Sequence, residues 1–387
     1  MKLKQYEEGL VKIMAPDLDL YRVGKHVEPA WAPVFYNPRM ALSRDIGVAV
    51  IAAYLRDKAE AVIVEPLSAT GIRGIRYSVE VAPNHTIILN DICKEAYDLI
   101  RLNVKLNGVK RGMVYNTDAN LLLSYLAFKG PKPDVIDLDP FGSPIPFLDS
   151  AIRALRNGGL LCMTFTDLPP LLGTYPKTCK RKYGATSLRT EYSKELGVRI
   201  VIAYVAREVA KYGKYVSPLL MQATDHYIRA YFLVNRGREN AISMLEKLGY
   251  VYHCYKCLYR ELSKGYNPRL SCPVCGNKLA IAGPLWTGDL WDAGFLKLVL
   301  EEYASRKYLS SRGFKVLKLI EGEVGAPPLY FKTDTLAGKY SLREEPSRRK
   351  LVAILLERGY KASLTHFDQK GFRCSLHPAK IVEMLNR

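Results

Sequence analysis

Acidic residues close three successive strand-like runs: Glu65 after AVIV, Asp91 after TIILN and Asp118 after MVYNT. One carboxylate in such a place is commonly a helix N-cap. Three like charges at one sheet edge cost energy unless a ligand suits them. A ligand with ribose hydroxyls, an amine and a positive centre would do so. S-adenosylmethionine (SAM) has that chemistry; NAD, with two phosphates, matches less well. A fourth run ends Asp137-Leu-Asp139-Pro140-Phe141-Gly-Ser-Pro144. An acid, a proline-fixed turn and an aromatic ring in that order can act on an aryl amine. Such an amine is a poor nucleophile, because the ring draws in its lone pair. A carboxylate that accepts its N–H polarises it and takes the proton as the new bond matures. An aromatic face stacks on the base and holds it in line. The alternative is a capped helix and a core Phe. Further on, Cys254-x2-Cys257 and Cys272-x2-Cys275 are separated by fourteen residues. That spacing suits a closed, tetrahedral, structural zinc site with no open position for catalysis.

The elements that must position these groups follow from periodicity. AVIVE (61–65), TIILND (86–91), MVYNTD (113–118), DVIDLD (134–139) and LLCMTFTD (160–167) read as strands. Helices fall between them: one from Ile72, one over 94–108 that stops at Asn107-Gly108, and one over 147–156. Alternation of this kind predicts parallel βαβ units and a sheet covered on both faces. The fold class expected is α/β, a doubly wound Rossmann-like sheet with a C-terminal α+β domain carrying the four cysteines. Glu65-Pro-Leu-Ser-Ala-Thr-Gly71-Ile-Arg-Gly74 joins the first strand to its helix, yet its spacing is not GxGxxG. A long helix is predicted over 191–212, then a hairpin at the sheet edge from runs 216–223 and 227–235. The segment 29–44, with three prolines, reads as a loop. A polar stretch at 235–240 sets the boundary: residues 1–238 form one domain and 239–387 the other, with a zinc ribbon at 250–280. Two helix-like runs and a strand–turn–strand pattern predict a winged-helix-like end at 330–387.

The chain of 387 residues carries 57 Lys and Arg against 38 Asp and Glu, a net charge of +19. Such an excess points to a polyanionic partner, nucleic acid above all. Residues 241–387 alone hold 24 basic and 14 acidic residues. A second basic stretch, 168–190, contains Lys177, Lys180, Arg181, Lys182 and Arg189 with interleaved Tyr175 and Tyr183. It follows the fifth strand and is expected to bring phosphates to the site. No apolar run reaches the roughly 18 residues of a membrane span, and the first residues lack the apolar core of a secretory signal. A cytoplasmic monomer is expected.

The acid–proline–aromatic strand end resembles the (N/D)PP(Y/F) motif of methyltransferases that act on exocyclic amines. Taken together, VFYNPRMALSRD (34–45), SATGIRGIR (68–76), NDI (90–92), DAN (118–120), IDLDPFGSP (136–144) and RTEYSKELGVRI (189–200) resemble the tRNA (guanine-26-N2)-dimethyltransferase family, archaeal type. The resemblance implies SAM-dependent methylation, then dimethylation, of the exocyclic N2 of guanosine 26 in tRNA. It implies Asp139 as the catalytic carboxylate, with Phe35 and Phe141 stacking on the flipped base. It implies Arg44, Arg73, Asp91, Asp118 and Ala119 as SAM contacts, the two arginines on the SAM carboxylate. Two rivals stay open on the residues alone. One is an adenine-N6 methyltransferase, disfavoured because Phe141 replaces the second proline. The other is a non-enzymatic nucleic-acid-binding protein, which leaves the strand-end carboxylates without purpose.

Overall fold

The computed structural model describes residues 1–24, 26–81, 84–267 and 269–385. It opens with a hairpin that periodicity did not signal: β1 (Leu3–Glu8) and β2 (Val11–Pro16), with Leu3 opposite Pro16 and Glu8 opposite Val11. Val11, Ile13 and Ala15 alternate inward and are buried. The expected loop at 29–44 holds two short turns, each begun by a proline and capped by Glu28 or Asn37. It ends sooner than expected, because α1 (Ala41–Leu55) begins at Ala41 and so contains Arg44. This helix is buried almost throughout, so it lacks the polar face that would mark its start in sequence.

Five parallel strands follow: β3 (Val62–Glu65), β4 (Thr86–Asn90), β5 (Gly112–Tyr115), β6 (Val135–Leu138) and β7 (Gly159–Phe165). Ile63 lies opposite both Ile87 and Val135, and Leu138 opposite Met163. Between them run α2 (Ile72–Glu80), α3 (Lys94–Leu106), α4 (Ala119–Phe128) and α5 (Ile145–Ala154). The expected hairpin is present as β8 (Lys214–Thr224) and β9 (Tyr227–Arg236), with Asp225 at φ +52° in its turn. The seven-stranded order is β8-β9-β7-β6-β3-β4-β5. The chain winds outward from β3 through β4 to β5, then returns to β6 on β3's other side. β3 and β6 therefore flank the topological switch point, where open α/β sheets bind ligands.

The chain divides into two compact units, each discontinuous in sequence. One comprises Met1–Thr164, Tyr231–Asn235 and Gly294–Lys315; the other comprises Phe165–Ala230, Arg236–Ala293 and Val316–Arg387. The boundary expected after 238 lies close to where the chain enters the second unit at Arg236, but that unit also takes Phe165–Ala230. The second unit holds α6 (Pro176–Tyr183) and α7 (Ser193–Ala210). Its ribbon is antiparallel: β10 (Leu248–His253) lies between β11 (Arg260–Lys264) and β12 (Ala280–Trp286), with Tyr252 opposite Glu261 and Ile281. Its end runs β13 (Phe331–Lys332), α8 (Thr333–Tyr340), α9 (Arg348–Glu357), β14 (Ala362–Leu364), β15 (Gly371–Cys374) and α10 (Pro378–Leu385). The strand order β13-β15-β14 gives the expected helix, helix, hairpin outline around Phe331, Leu336, Leu351, Leu355, Phe372 and Ile381. Residue 268 of the expected ribbon, and 386 and 387 of the winged end, lie outside the described residues.

Candidate active site

The loop between β3 and α2 is tightly determined. Gly71 starts α2 at φ +78°, a backbone that L side chains rarely adopt. A Cβ at Gly74 would lie 2.9 Å from the Glu65 carboxylate and collide with Leu89. Gly74 N–H instead donates to Glu65 Oε2 at 3.0 Å. Ser68 Oγ donates to the Glu65 carbonyl, and Ser68 N–H to the Asn90 carbonyl at 2.8 Å.

Asn90 is a residue that sequence reading missed. Its buried amide donates to the carbonyls of Pro66 (2.9 Å) and Thr117 (3.0 Å) and accepts from Thr117 N–H at 3.1 Å. One side chain thus ties together the loops that leave β3, β4 and β5. A polar residue in an apolar strand, TIILN, was the available signal. Next to it, Asp91 accepts from Ala69 N–H at 2.9 Å and Cys93 N–H at 3.0 Å. Asp118 caps α4, its Oδ1 accepting from Asn120 N–H and Leu121 N–H, and Ala119 is buried as the helix begins. The cap reading therefore applies to Asp118, whereas Asp91 binds loop amides ahead of α3.

Like-charge repulsion at this edge is relieved by a proton as well. Burial, then the neighbouring Asp137, pushes the Glu65 carboxyl up to about 8, against the pull of Arg73, so Glu65 is largely neutral at pH 7. Asp137 is fully buried and accepts from Tyr77 O–H at 2.8 Å. Asp139, one step beyond β6, stands partly open. Arg73, almost wholly buried, donates from Nε (2.9 Å) and Nη2 (2.6 Å) to the single oxygen Oδ2 of Asp139.

Neither arginine expected at the cofactor carboxylate stands alone. Arg44 makes a two-pronged pair with Glu8, 2.6 Å on each prong, and Nη2 also donates to the Asn37 carbonyl at 3.0 Å. Sequence reading could not find these partners, since Glu8 lies 36 residues upstream and Asp139 lies 66 beyond Arg73. The two phenylalanines do come together: the rings of Phe35 and Phe141 meet edge-on with centroids 4.3 Å apart. Phe141 is 64% exposed, on a turn whose Gly142 has φ +78°.

In the second unit the sulfurs of Cys254, Cys257, Cys272 and Cys275 lie within 4.8 Å of one another. The pairs Cys254–Cys275 and Cys257–Cys272 are both at 3.5 Å. Four thiolates about 2.3 Å from one zinc ion would sit at nearly this spacing, so the donor set fits a closed zinc site. The basic stretch 168–190 is mostly folded: Tyr183 and Cys179 are buried, Lys182 pairs with Asp167, and Lys177, Lys180, Arg181 and Arg189 stay exposed.

The sequence profile of the N2,N2-dimethylguanosine tRNA methyltransferase family matches residues 9–386. The tRNA (guanine(26)-N(2))-dimethyltransferase of Saccharolobus solfataricus is 40% identical over 96% of both chains. That of Methanosphaera stadtmanae is 37% identical over 96% of this chain and 93% of its own. The structure of Trm1 from Pyrococcus horikoshii in complex with SAM superposes with a TM-score of 0.84, at 34% identity and 99% coverage of each chain. With that match running through both units, the chain belongs to the N2,N2-dimethylguanosine tRNA methyltransferase family and is a SAM-dependent methyltransferase.

Proposed function

We propose that the protein methylates the exocyclic N2 of guanosine 26 in tRNA twice, with Asp139 as the proton acceptor. The observation that carries this reading is the Arg73–Asp139 pair: a buried guanidinium holds one oxygen of a partly open carboxylate beside Phe141 at the switch point. SAM, when bound, supplies a methyl group from its sulfonium. Asp139 accepts an N–H of the amine, draws electron density onto the nitrogen and takes the proton as the C–N bond forms. After one transfer the amine keeps one N–H for Asp139; after two it has none, so the reaction stops.

Phe35 and Phe141 hold the base. A ring between them needs two van der Waals contacts of roughly 3.5–4.0 Å each, so a pair at 4.3 Å must open to receive it. A guanine N2 inside a stack cannot reach the site, so the nucleotide leaves the stack first. Asp91, Asp118 and Ala119 line the SAM side, Asp91 toward the ribose and Asp118 and Ala119 toward adenine. Arg44 and Arg73 face the SAM carboxylate; a guanidinium has five N–H donors, so an ion pair within the protein does not exhaust it. Residues 1–238 carry the transfer, and residues 239–387, with the exposed cations of 177–189, hold tRNA phosphates. One zinc ion in the four-cysteine cluster stiffens the ribbon and takes no part in the chemistry. A tRNA substrate fits a cytoplasmic enzyme.

The test is incubation with SAM of tRNA transcripts carrying guanosine or adenosine at position 26, followed by nucleoside mass spectrometry. N2-methyl- and N2,N2-dimethylguanosine from the first alone are expected. A methyl group on adenine would replace this reading with an adenine-N6 methyltransferase.

A further inference from the structure

The N-terminal hairpin is bracketed at two places. Along its outer edge stand two asparagines, Asn103 in α3 and Asn107 at that helix's C-cap. Met14 N–H donates to Asn103 Oδ1 (2.7 Å), and Asn103 Nδ2 donates back to the Met14 carbonyl (2.9 Å). Lys12 and Asn107 repeat the exchange at 3.0 and 2.6 Å. At its tip, Glu8 enters a buried ionic cluster. Its carboxylate takes Arg44 on both oxygens and Arg76 Nη1 at 2.9 Å. Arg76 also pairs with Asp45 (2.9 Å) and Glu80 (2.8 Å), and Leu10 N–H donates to Glu80 at 3.0 Å. Burial pushes the Glu8 carboxyl up, but Arg44 and Arg76 outweigh it and hold it below the usual range. Buried charges in this arrangement are tolerated only at fixed geometry, since losing one partner strands another.

The cluster reaches the aromatic segment at two adjacent residues. Tyr36 O–H donates to Glu8 Oε2 at 3.5 Å, and its ring lies beside Arg44. Arg44 then holds the Asn37 carbonyl. Val34 is buried against Ala96 and Leu99. Val34 and Tyr36 are buried, and Phe35 between them meets Phe141. Pinning residues 34, 36 and 37 therefore fixes the direction of Phe35.

We infer that Glu8 is a positioning residue for the transfer, acting through Arg44 and Tyr36 on the segment that carries Phe35. This rests on the base-holding role proposed for Phe35. A displacement near 1 Å in a reacting pair costs about 10²-fold in rate.

The experiment compares Glu8→Gln, Asn107→Ala, Phe35→Ala and the Glu8→Gln/Phe35→Ala double variant in the full chain. Methyl transfer to tRNA gives kcat and KM, calorimetry gives SAM affinity, and hydrogen exchange reports the amides of 34–40. Asn107→Ala is the control, because it loosens the hairpin without touching 34–37. Glu8→Gln is expected to lower kcat about 10–100-fold and to speed exchange at 34–40, while Asn107→Ala does neither. In the Phe35→Ala background Glu8→Gln should cost little more, since both act through one ring. Wild-type exchange at 34–40 and wild-type kcat in Glu8→Gln would overturn the inference. So would full multiplication of the two losses, or equal loosening of 34–40 in Asn107→Ala. If Phe35→Ala transfers normally while Glu8→Gln still loosens 34–40, the base-holding role fails and the clamp on the segment stands.

Discussion

Asp139→Asn isolates charge from shape at the proposed proton acceptor. Asp139 receives two N–H bonds from Arg73 on one oxygen, at 2.9 and 2.6 Å, and Arg73 is 1% exposed. Asparagine keeps an oxygen for those bonds but removes the charge. Arg73 keeps its charge, so bonds from it survive, each worth about 1.5–3 kcal/mol. What is lost is the counter-charge, and the folded state should lose less than the roughly 3–5 kcal/mol of breaking a buried pair. Asp139→Ala removes both bonds and the counter-charge beside a buried guanidinium, which costs up to about 3–5 kcal/mol; it tests folding as much as chemistry. For the transfer, losing a positioned proton acceptor costs about 10²–10⁴-fold, and each factor of ten is about 1.4 kcal/mol of barrier. The assay is single-turnover methyl transfer from labelled SAM to tRNA at saturating concentrations, beside calorimetric SAM binding and a melting curve. We expect a loss of at least about 100-fold in both the first and second transfers, with SAM still bound and the protein still folded. Turnover within about tenfold of wild type would refute the proton-acceptor role. Loss of the second transfer alone would show that another group takes the first proton.

Glu65→Gln should flatten the pH dependence of stability. A carboxyl raised to about 8 when folded and near 4.5 when unfolded binds its proton more tightly in the folded state. Its contribution is thus fully present below about 4.5 and is lost as pH rises through about 8. Denaturant melts of both proteins at pH 5, 7 and 8.5 check this; a wild type that gains on the variant with rising pH would contradict it. Purified protein should hold one zinc per chain by elemental analysis, and Cys272→Ser should lower that content and speed proteolysis within 248–286 while leaving SAM affinity nearly unchanged. Metal-free protein expressed with zinc supplied would remove the zinc proposal. Affinity for tRNA should fall steeply with salt, as several phosphate contacts release counterions; binding that is flat between 50 and 200 mM salt would show that the basic surface is not the tRNA contact.

The central sheet could be read from the sequence because its strands are apolar, short and separated by helices whose stops are explicit, such as Asn107-Gly108. The strand-end acids and the Asp139-Pro140-Phe141 turn followed, since a strand's end fixes where the next residues lie. What could not be read depended on partners distant in sequence. β1, LKQYEE, has no apolar alternation and no buried residue, so only its pairing with β2 makes it a strand. Glu8 looks like a surface acid until the fold places it between Arg44 and Arg76. Arg44 and Arg73 entered only through the resemblance, and their carboxylate partners not at all. Asn90 showed only as a polar residue in an apolar strand and Asn103 not at all, because each satisfies backbone groups that only the folded chain brings near.

The pair of asparagines at the C-terminal end of α3 also bears on how this chain keeps to itself. Four residues along a helix rise about 6 Å, and two residues along a strand about 6.6 Å, so Asn103 and Asn107 match the repeat of Met14 and Lys12 and stand in for a third strand. An open strand margin is a template on which foreign chains aggregate. On β2 that margin is sealed by side-chain amides. The other margin belongs to β1, where Lys4 and Glu7 are exposed and charged. Side-chain amides on one margin and charge on the other thus both work against strand addition at the hairpin.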